Sequence, residues 1–138
     1  MAEGAYGKYG IARLYCLIFG IAYLAVAALE AITQDALKDS IGLEFTAMQN
    51  AIHWVVGVVT ILAFFGSEAT ARMVARVIGF VFLAITVWGF ASPSSIGDFL
   101  GFDGGLPVIY GIVHLLTTVA ALFAGFASRP APEQAAQA

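Results

Sequence analysis

Apolar residues run along this chain in four blocks, near 11–32, 46–66, 70–92 and 105–128. Each holds the roughly 20 residues that a helix rising about 1.5 Å per residue needs to cross a hydrocarbon core of about 30 Å. The blocks Thr46 to Gly66 and Gly104 to Ser128 contain no charge. The third opens with Arg72 and Arg76, whose stems can snorkel to an interface, and stops at Pro93. Backbone amides in lipid must find partners within the protein, and the blocks are far too long for barrel strands, so the pattern predicts four spanning helices.

Polar positions inside the second and fourth blocks are ordered. Gln49, Asn50, His53, Gly57 and Thr60 recur at spacings of three and four, and Tyr110, His114, Thr117 and Thr118 do the same. Each set draws one polar stripe down an apolar helix. An imidazole in hydrocarbon without a partner costs several kcal/mol, about 4–8 on the cyclohexane scale, so both stripes are expected to face the bundle interior.

The blocks also resemble one another. Aligned without gaps, Ala12-Arg13-Leu14 through Gly20 to Leu24-Ala25 matches Ala71-Arg72-Met73 through Gly79 to Leu83-Ala84. Ile52-His53-Trp54-Val55 lies over Val113-His114-Leu115-Leu116, and Ser40-Ile41-Gly42 has an echo at Ser95-Ile96-Gly97. Three anchors in one order point to a duplication. Each copy would be a hairpin of two spans entering from the same side, related to the other by an axis along the membrane normal. The expected fold is therefore all-α, an integral membrane four-helix bundle of two tandem, parallel-repeat hairpins. It forms one domain over residues 9–128, with a short segment 1–8 before it and a flexible tail 129–138 after it. Turn residues in the connections 33–45 and 93–104 leave room for short interfacial helices around Leu37 and Phe99, and the short Ser67-Glu68-Ala69 link makes the second and third spans antiparallel neighbours.

Composition agrees: 61% of the 138 residues are hydrophobic, 11% are charged and the mean hydropathy is +0.91, against about a quarter charged in soluble domains. Lys8, Arg13, Arg72, Arg76 and Arg129 fall on one side of a four-span topology and only Lys38 on the other. The positive-inside rule then places both termini in the cytoplasm. Asp35, Asp39, Glu44, Asp98 and Asp103 make the opposite face acidic without the spacing of a calcium loop. The net charge of −3 argues against nucleic-acid binding. The first block is longer than a signal core and is expected to be retained. Cys16, the single cysteine, permits neither an intrachain disulfide nor a cysteine metal cluster, and is expected to be a buried apolar residue. Glu30 is expected to anchor the end of the first span at the interface; its repeat counterpart is Gly89.

Candidate chemistry rests on His53 and His114. Counting helical rise puts both about 12 Å below the outer surface, with Gly20 and Gly79 climbing to nearly that level from the other side. Across a simple ring of helices the histidines would face each other, with the glycines leaving space beside them. Such a site could hold a tetrapyrrole, haem b or a chlorophyll, with the iron or magnesium on an imidazole and Arg13, Arg72 and Arg76 toward the propionates. A proton or quinone role for the same imidazoles is a second reading, and the remaining one is structural: each histidine hydrogen-bonds across helices and each glycine lets helices approach. No phosphate loop, nucleophile elbow or His-Glu-x-x-His pattern is present, so no catalytic residue is expected.

The Ala-Arg…Gly…Leu-Ala frame, together with Asn50-Ala-Ile-His53…Gly57 and Tyr110-Gly-Ile-Val-His114, resembles the small four-span bacterial membrane proteins grouped as domain of unknown function 4383. The resemblance covers roughly residues 9–128. It implies the same fold, a location in a bacterial inner membrane, and a second span carrying Asn and His ahead of Gly, here Asn50, His53 and Gly57. Where that family usually has an Asn just before the last histidine, this chain has Tyr110-Gly111. The resemblance implies no activity. The expectation is thus a structural or accessory subunit, with no cofactor, packing in the lipid bilayer against itself or within a larger membrane complex. A tetrapyrrole-binding redox or pigment protein is the alternative. A small transporter comes third, because no acid lies at the expected midplane.

Overall fold

A computed structural model describes residues 9–127. The segment 1–8 with Lys8, the last residue of the expected fourth span, Ser128, and the tail 129–138 with Arg129 lie outside the described residues. Five helices follow in order: α1 (Ile11–Ile41), α2 (Ala47–Phe65), α3 (Glu68–Ala91), α4 (Pro93–Leu100) and α5 (Val108–Ala127). No strand occurs among the described residues. Four stretches are long and apolar enough to span a membrane, Ile11–Thr33, Ala47–Phe65, Glu68–Ala91 and Val108–Ala127, with mean hydropathies of 1.6 to 2.1. The protein is a multi-pass membrane protein.

The expected boundaries differ from the observed ones by three residues or fewer, except at the end of the first span. There α1 continues to Ile41 through a kink at Thr33, whose φ of −124° and ψ of 19° leave the helical region. The kink falls where the hydrocarbon span ends, and the continuation supplies the expected interfacial helix around Leu37. The other one is α4, with Pro93 in its first turn. The Ser-Ile-Gly echo does not carry over into structure. Gly42 ends α1 in the left-handed conformation, whereas Gly97 is helical inside α4, where a Cβ would fall 2.5 Å from the Gly105 Cα.

Helix starts are set by local chemistry. Thr46 and Ser67 cap α2 and α3 by accepting from the amides of Gln49 and Thr70. The start of α1 is capped from a distance: the Glu68 carboxylate accepts from the amides of Ala12 at 3.1 Å and Arg13 at 3.2 Å. Glu68, placed by the sequence in the short link between the second and third spans, is buried at the start of α3. Its negative charge meets the positive end of the α1 dipole, and its length requires the bare backbone of Gly10 beside it.

The most extensive helix contacts lie within two pairs, α1 with α2 and α3 with α5. Both pairs close on glycine. A Cβ on Gly20 would lie 2.7 Å from Ile61 Cγ1 and 3.1 Å from the Ile61 backbone nitrogen; one on Gly79 would lie 2.5 Å from Leu122 Cδ2 and 3.1 Å from the Leu122 nitrogen. Backbones approach closely where small residues allow it, which is the packing that replaces the hydrophobic effect in lipid. The two hairpins then meet through α1 and α3, with α2 also against α3 and α1 against α5. A core of small and aromatic side chains, including Cys16, Tyr23, Ala75 and Phe82, fills that junction.

At one end of the bundle the termini of the described chain and the Ser67 link come together; at the other lie the two long connections, here termed the loop end. Ile96, Leu100, Phe102, Leu106 and Tyr110 form a second core there, with Leu43 and Phe45 packed against it. Thr46 donates to the Leu100 carbonyl and Tyr110 donates to the Glu44 carbonyl at 2.6 Å, so the two connections are tied into one cap.

Candidate functional site

Both polar stripes face inward. Gln49, Thr60, Tyr110, His114, Thr117 and Thr118 are buried, and Asn50 and His53 are partly buried. Ala47 and Val108 begin their helices and each histidine follows six residues later, so the two imidazoles sit at matching depth, about 9 Å from the loop end. They share one cavity of about 340 Å³, bounded by α1, α2, α3 and α5 and by Leu43 and Phe45 of the first connection.

The histidines are held differently. His53 Nδ1 lies 2.7 Å from Glu30 Oε1, while Glu30 Oε2 accepts from Asn50 Nδ2 at 2.8 Å. Asn50 also donates to the Ala27 carbonyl at 2.8 Å. Glu30 is only 2% exposed. The expectation of an interfacial anchor is therefore corrected: Glu30 stands on the inner face of α1 in line with Tyr23 and Ala27, seven and three residues before it, and joins α1 to α2. A carboxylate bound to Nδ1 fixes the ring and directs its other nitrogen elsewhere, the arrangement that orients functional imidazoles in many sites. His114 has no such partner. Its Nδ1 is buried without a hydrogen bond, and Gly89 occupies the position that an offset of 59 residues assigns to Glu30.

The imidazoles are linked through a chain of rings. His53 contacts Tyr23 at 5.8 Å between centroids, Tyr23 contacts Phe82 at 5.9 Å, and Phe82 contacts His114 at 5.4 Å. The Tyr23 hydroxyl lies beside Thr117. Gly20 and Gly79 do not border the cavity as expected, because Ile61 and Leu122 take up their faces. The remaining stripe residues have local roles: Thr60 donates to the Val56 and Gly57 carbonyls, and Thr118 donates to the His114 carbonyl at 2.8 Å.

The arginines lie far from this cavity. Arg13 donates from Nε to the Phe64 carbonyl at 2.9 Å, closing the end of α2, and its guanidinium lies over the Tyr9 and Phe64 rings. Arg76 does the same for α5, donating to the Gly125 carbonyl at 2.8 Å with its guanidinium 4.5 Å from the Phe126 centroid. Cations at helix C-termini satisfy free carbonyls and the negative end of the dipole. Arg72 Nε is buried without a partner. The arginines expected to meet propionates thus sit at the opposite end of the bundle from the histidines, and two of them are engaged by carbonyls. Among the described residues, no group of three or more His, Cys, Asp or Glu side chains is placed to hold a metal ion.

Sequence reasoning missed Glu30 and Glu68. The signal for Glu30 was present: Ala12, Cys16, Gly20, Tyr23, Ala27 and Glu30 recur at intervals of three and four, one continuous inner face. Residues 31–127 match the model of a family described as Domain of unknown function (DUF4383). No curated protein and no solved structure matches the chain.

Proposed function

We propose a structural or accessory role in the membrane for this chain, which belongs to the family described as Domain of unknown function (DUF4383). The observation that carries the proposal is how the ionisable groups of the spans are used. Glu68 ties the start of α3 to the start of α1, Arg13 ties α1 to the end of α2, Arg76 ties α3 to the end of α5, and Glu30 ties α1 to α2. Intramembrane charges cost several kcal/mol each, about 2.5–3.5 on insertion scales, and commonly mark an ion path or a reacting group. Here four of them, Glu30, Glu68, Arg13 and Arg76, fasten helices to one another, as a stiff scaffold requires.

The scaffold is a duplicated hairpin. With an offset of 59 residues, the buried positions Ala12, Cys16, Gly20, Tyr23, Ala27 and Glu30 of α1 fall on Ala71, Ala75, Gly79, Phe82, Thr86 and Gly89 of α3, all buried as well. An offset of 61 carries His53 to His114 and Phe64, whose carbonyl Arg13 binds, to Gly125, whose carbonyl Arg76 binds. Arg13, Arg72 and Arg76 mark the cytoplasmic end under the positive-inside rule, which puts both termini in the cytoplasm and the loop end outside; the resemblance to four-span bacterial proteins makes the membrane a bacterial inner one. Large apolar side chains such as Ile18, Val55, Leu62, Val77 and Leu116 cover the outer faces of the bundle. They meet lipid or the helices of a second copy or a larger complex.

The tetrapyrrole alternative has in its favour that both histidines line one cavity. Against it stand the rings of Tyr23 and Phe82, which form the chain of contacts from one imidazole to the other, and the remote arginines. One preparation tests both readings. The full chain is extracted with its own lipids into nanodiscs, and molar mass is measured against the 14.5 kDa of the chain. An accessory role requires more than one protein chain per particle in fixed ratio; particles with a single chain and no associated protein would sink it. A reduced-minus-oxidised spectrum showing a Soret band, lost in His53→Ala/His114→Ala, would replace it with tetrapyrrole binding.

A further inference from the structure

The histidine cavity has the features of a binding site with two unlike ends. Val26, Ile109 and Val113 line it and are also exposed on the apolar surface of the bundle, so its mouth opens to the hydrocarbon between α1 and α5. Whatever enters does so from the bilayer. The walls carry the aromatic rings of Phe19, Tyr23, Phe45 and Phe82, surfaces against which a flat ring packs by offset or edge contact.

The inner end holds unmet hydrogen-bond capacity. Gln49 and His114 both line the cavity and are 4% and 7% exposed, and neither Gln49 Oε1 nor His114 Nδ1 has a partner. A buried polar atom left unpaired costs about 1–3 kcal/mol, and natural proteins keep few such atoms without a reason. Gln49 Oε1 is an acceptor, and His114 Nδ1 is one in the tautomer that carries its proton on Nε2, so a group that satisfies both at once is a donor. Of the two tyrosine hydroxyls on the cavity wall, Tyr110 is committed to the Glu44 carbonyl, while Tyr23 is buried without a hydrogen-bond partner and adds a third unpaired polar atom for a ligand hydroxyl to meet.

We infer that this cavity binds a lipid-soluble phenolic molecule, of the hydroquinone type. Its ring hydroxyls donate to Gln49 and His114, its ring packs among the aromatic walls, and its hydrocarbon tail leaves between α1 and α5. The volume of about 340 Å³ suits such a head group, at the lower end of the roughly 300–1,000 Å³ common for small-molecule sites. The inference goes beyond the accessory role and does not require it. A scaffold without a partner could still bind the ligand, and an accessory subunit could be empty.

The test uses the full chain in phosphatidylcholine nanodiscs and a matched pair of probes, a short-tailed alkyl hydroquinone and its dimethyl ether. The two have the same ring and tail, but only the first can donate. The hydroquinone is expected to raise the thermal unfolding midpoint saturably and to move the ¹⁵N signal of the His114 ring; the ether should do neither. Gln49→Leu is expected to weaken hydroquinone binding about tenfold, the equivalent of one hydrogen bond of about 1.4 kcal/mol. Val113→Trp, which leaves the polar end intact and narrows the mouth, provides a second variant should the first not fold. Equal responses to both probes, or no response from folded protein, would overturn the inference, as would unchanged binding in folded Gln49→Leu and Val113→Trp.

Discussion

Replacing Glu30 with Ala separates the buried cross-link from the interfacial anchor that the sequence suggests. The substitution removes the acceptor of two hydrogen bonds, from His53 at 2.7 Å and Asn50 at 2.8 Å. Asn50 keeps its bond to the Ala27 carbonyl, so one donor is orphaned outright and the other only loses its second partner. In membrane proteins such side-chain bonds average about 0.6 and reach about 1.7 kcal/mol, because a span that is unpacked in lipid still finds partners. Two of them give a loss of about 1–3.5 kcal/mol. Glu30→Gln should lose less than half of that, since the amide oxygen can accept from Asn50 while the amide donates to the other tautomer of His53. The assay is reversible unfolding in mixed micelles with increasing SDS, followed by the fluorescence of Trp54, next to His53 in sequence. A double-mutant cycle with His53→Ala should return a coupling of about 0.5–1.7 kcal/mol. If Glu30→Ala stays within about 0.5 kcal/mol of the parent, the usual range of a surface change, Glu30 does not join α1 to α2 and the inner face of α1 is wrongly drawn.

Gly79→Ala should destabilise by about 1–3 kcal/mol through overpacking, because the new Cβ meets both the side chain and the backbone nitrogen of Leu122; the same unfolding assay checks it, and a neutral result would mean α3 and α5 stand further apart. Gly89→Glu should supply His114 with the partner that His53 already has. Its Cβ would meet Leu106 Cδ2 at 3.3 Å, a tight contact that the flexible end of that leucine must yield to; a cycle with His114→Ala should show favourable coupling, and zero coupling would count against the two hairpins being copies. Lys38, on the α1 extension beyond the span, has its ammonium pKa raised above 10.5, chiefly by the hydrogen bond to Glu44 at 2.9 Å. A raised pKa means that its contribution to stability is complete below the ordinary lysine value and disappears as pH climbs through the raised one. The difference in thermal midpoint between the parent and Lys38→Gln should thus be constant near neutrality, shrink in strong alkali and shrink also in salt, because the pair is exposed. A difference that persists unchanged in strong alkali would show that the side chain acts through packing.

The spans were legible because lipid imposes one rule along the whole chain: 20 apolar residues with satisfied amides make a helix, and no competing structure exists. The inward stripes were legible for the same reason, since a buried polar face has only the bundle interior to turn to. What escaped were the acids, because an acid near the end of an apolar block has two low-energy solutions that composition does not distinguish. It can reach water, or it can find a donor on another helix. Glu30 takes the second course because Asn50 and His53, on a different helix, lie at its level. Glu68 does so because the unpaired amides of α1 begin beside it. Each depends on the register between two helices, which no single helix encodes. The glycines teach the complementary lesson. Gly20 and Gly79 carry the same signal whether a cofactor or a neighbouring helix fills the missing side chain, and only Ile61 and Leu122 decide it. Those close approaches fill the faces of both glycines with side chains of the neighbouring helices. The free volume of the bundle is pushed toward the loop end, where the two stripes leave Gln49 and His114 with hydrogen bonds still to make.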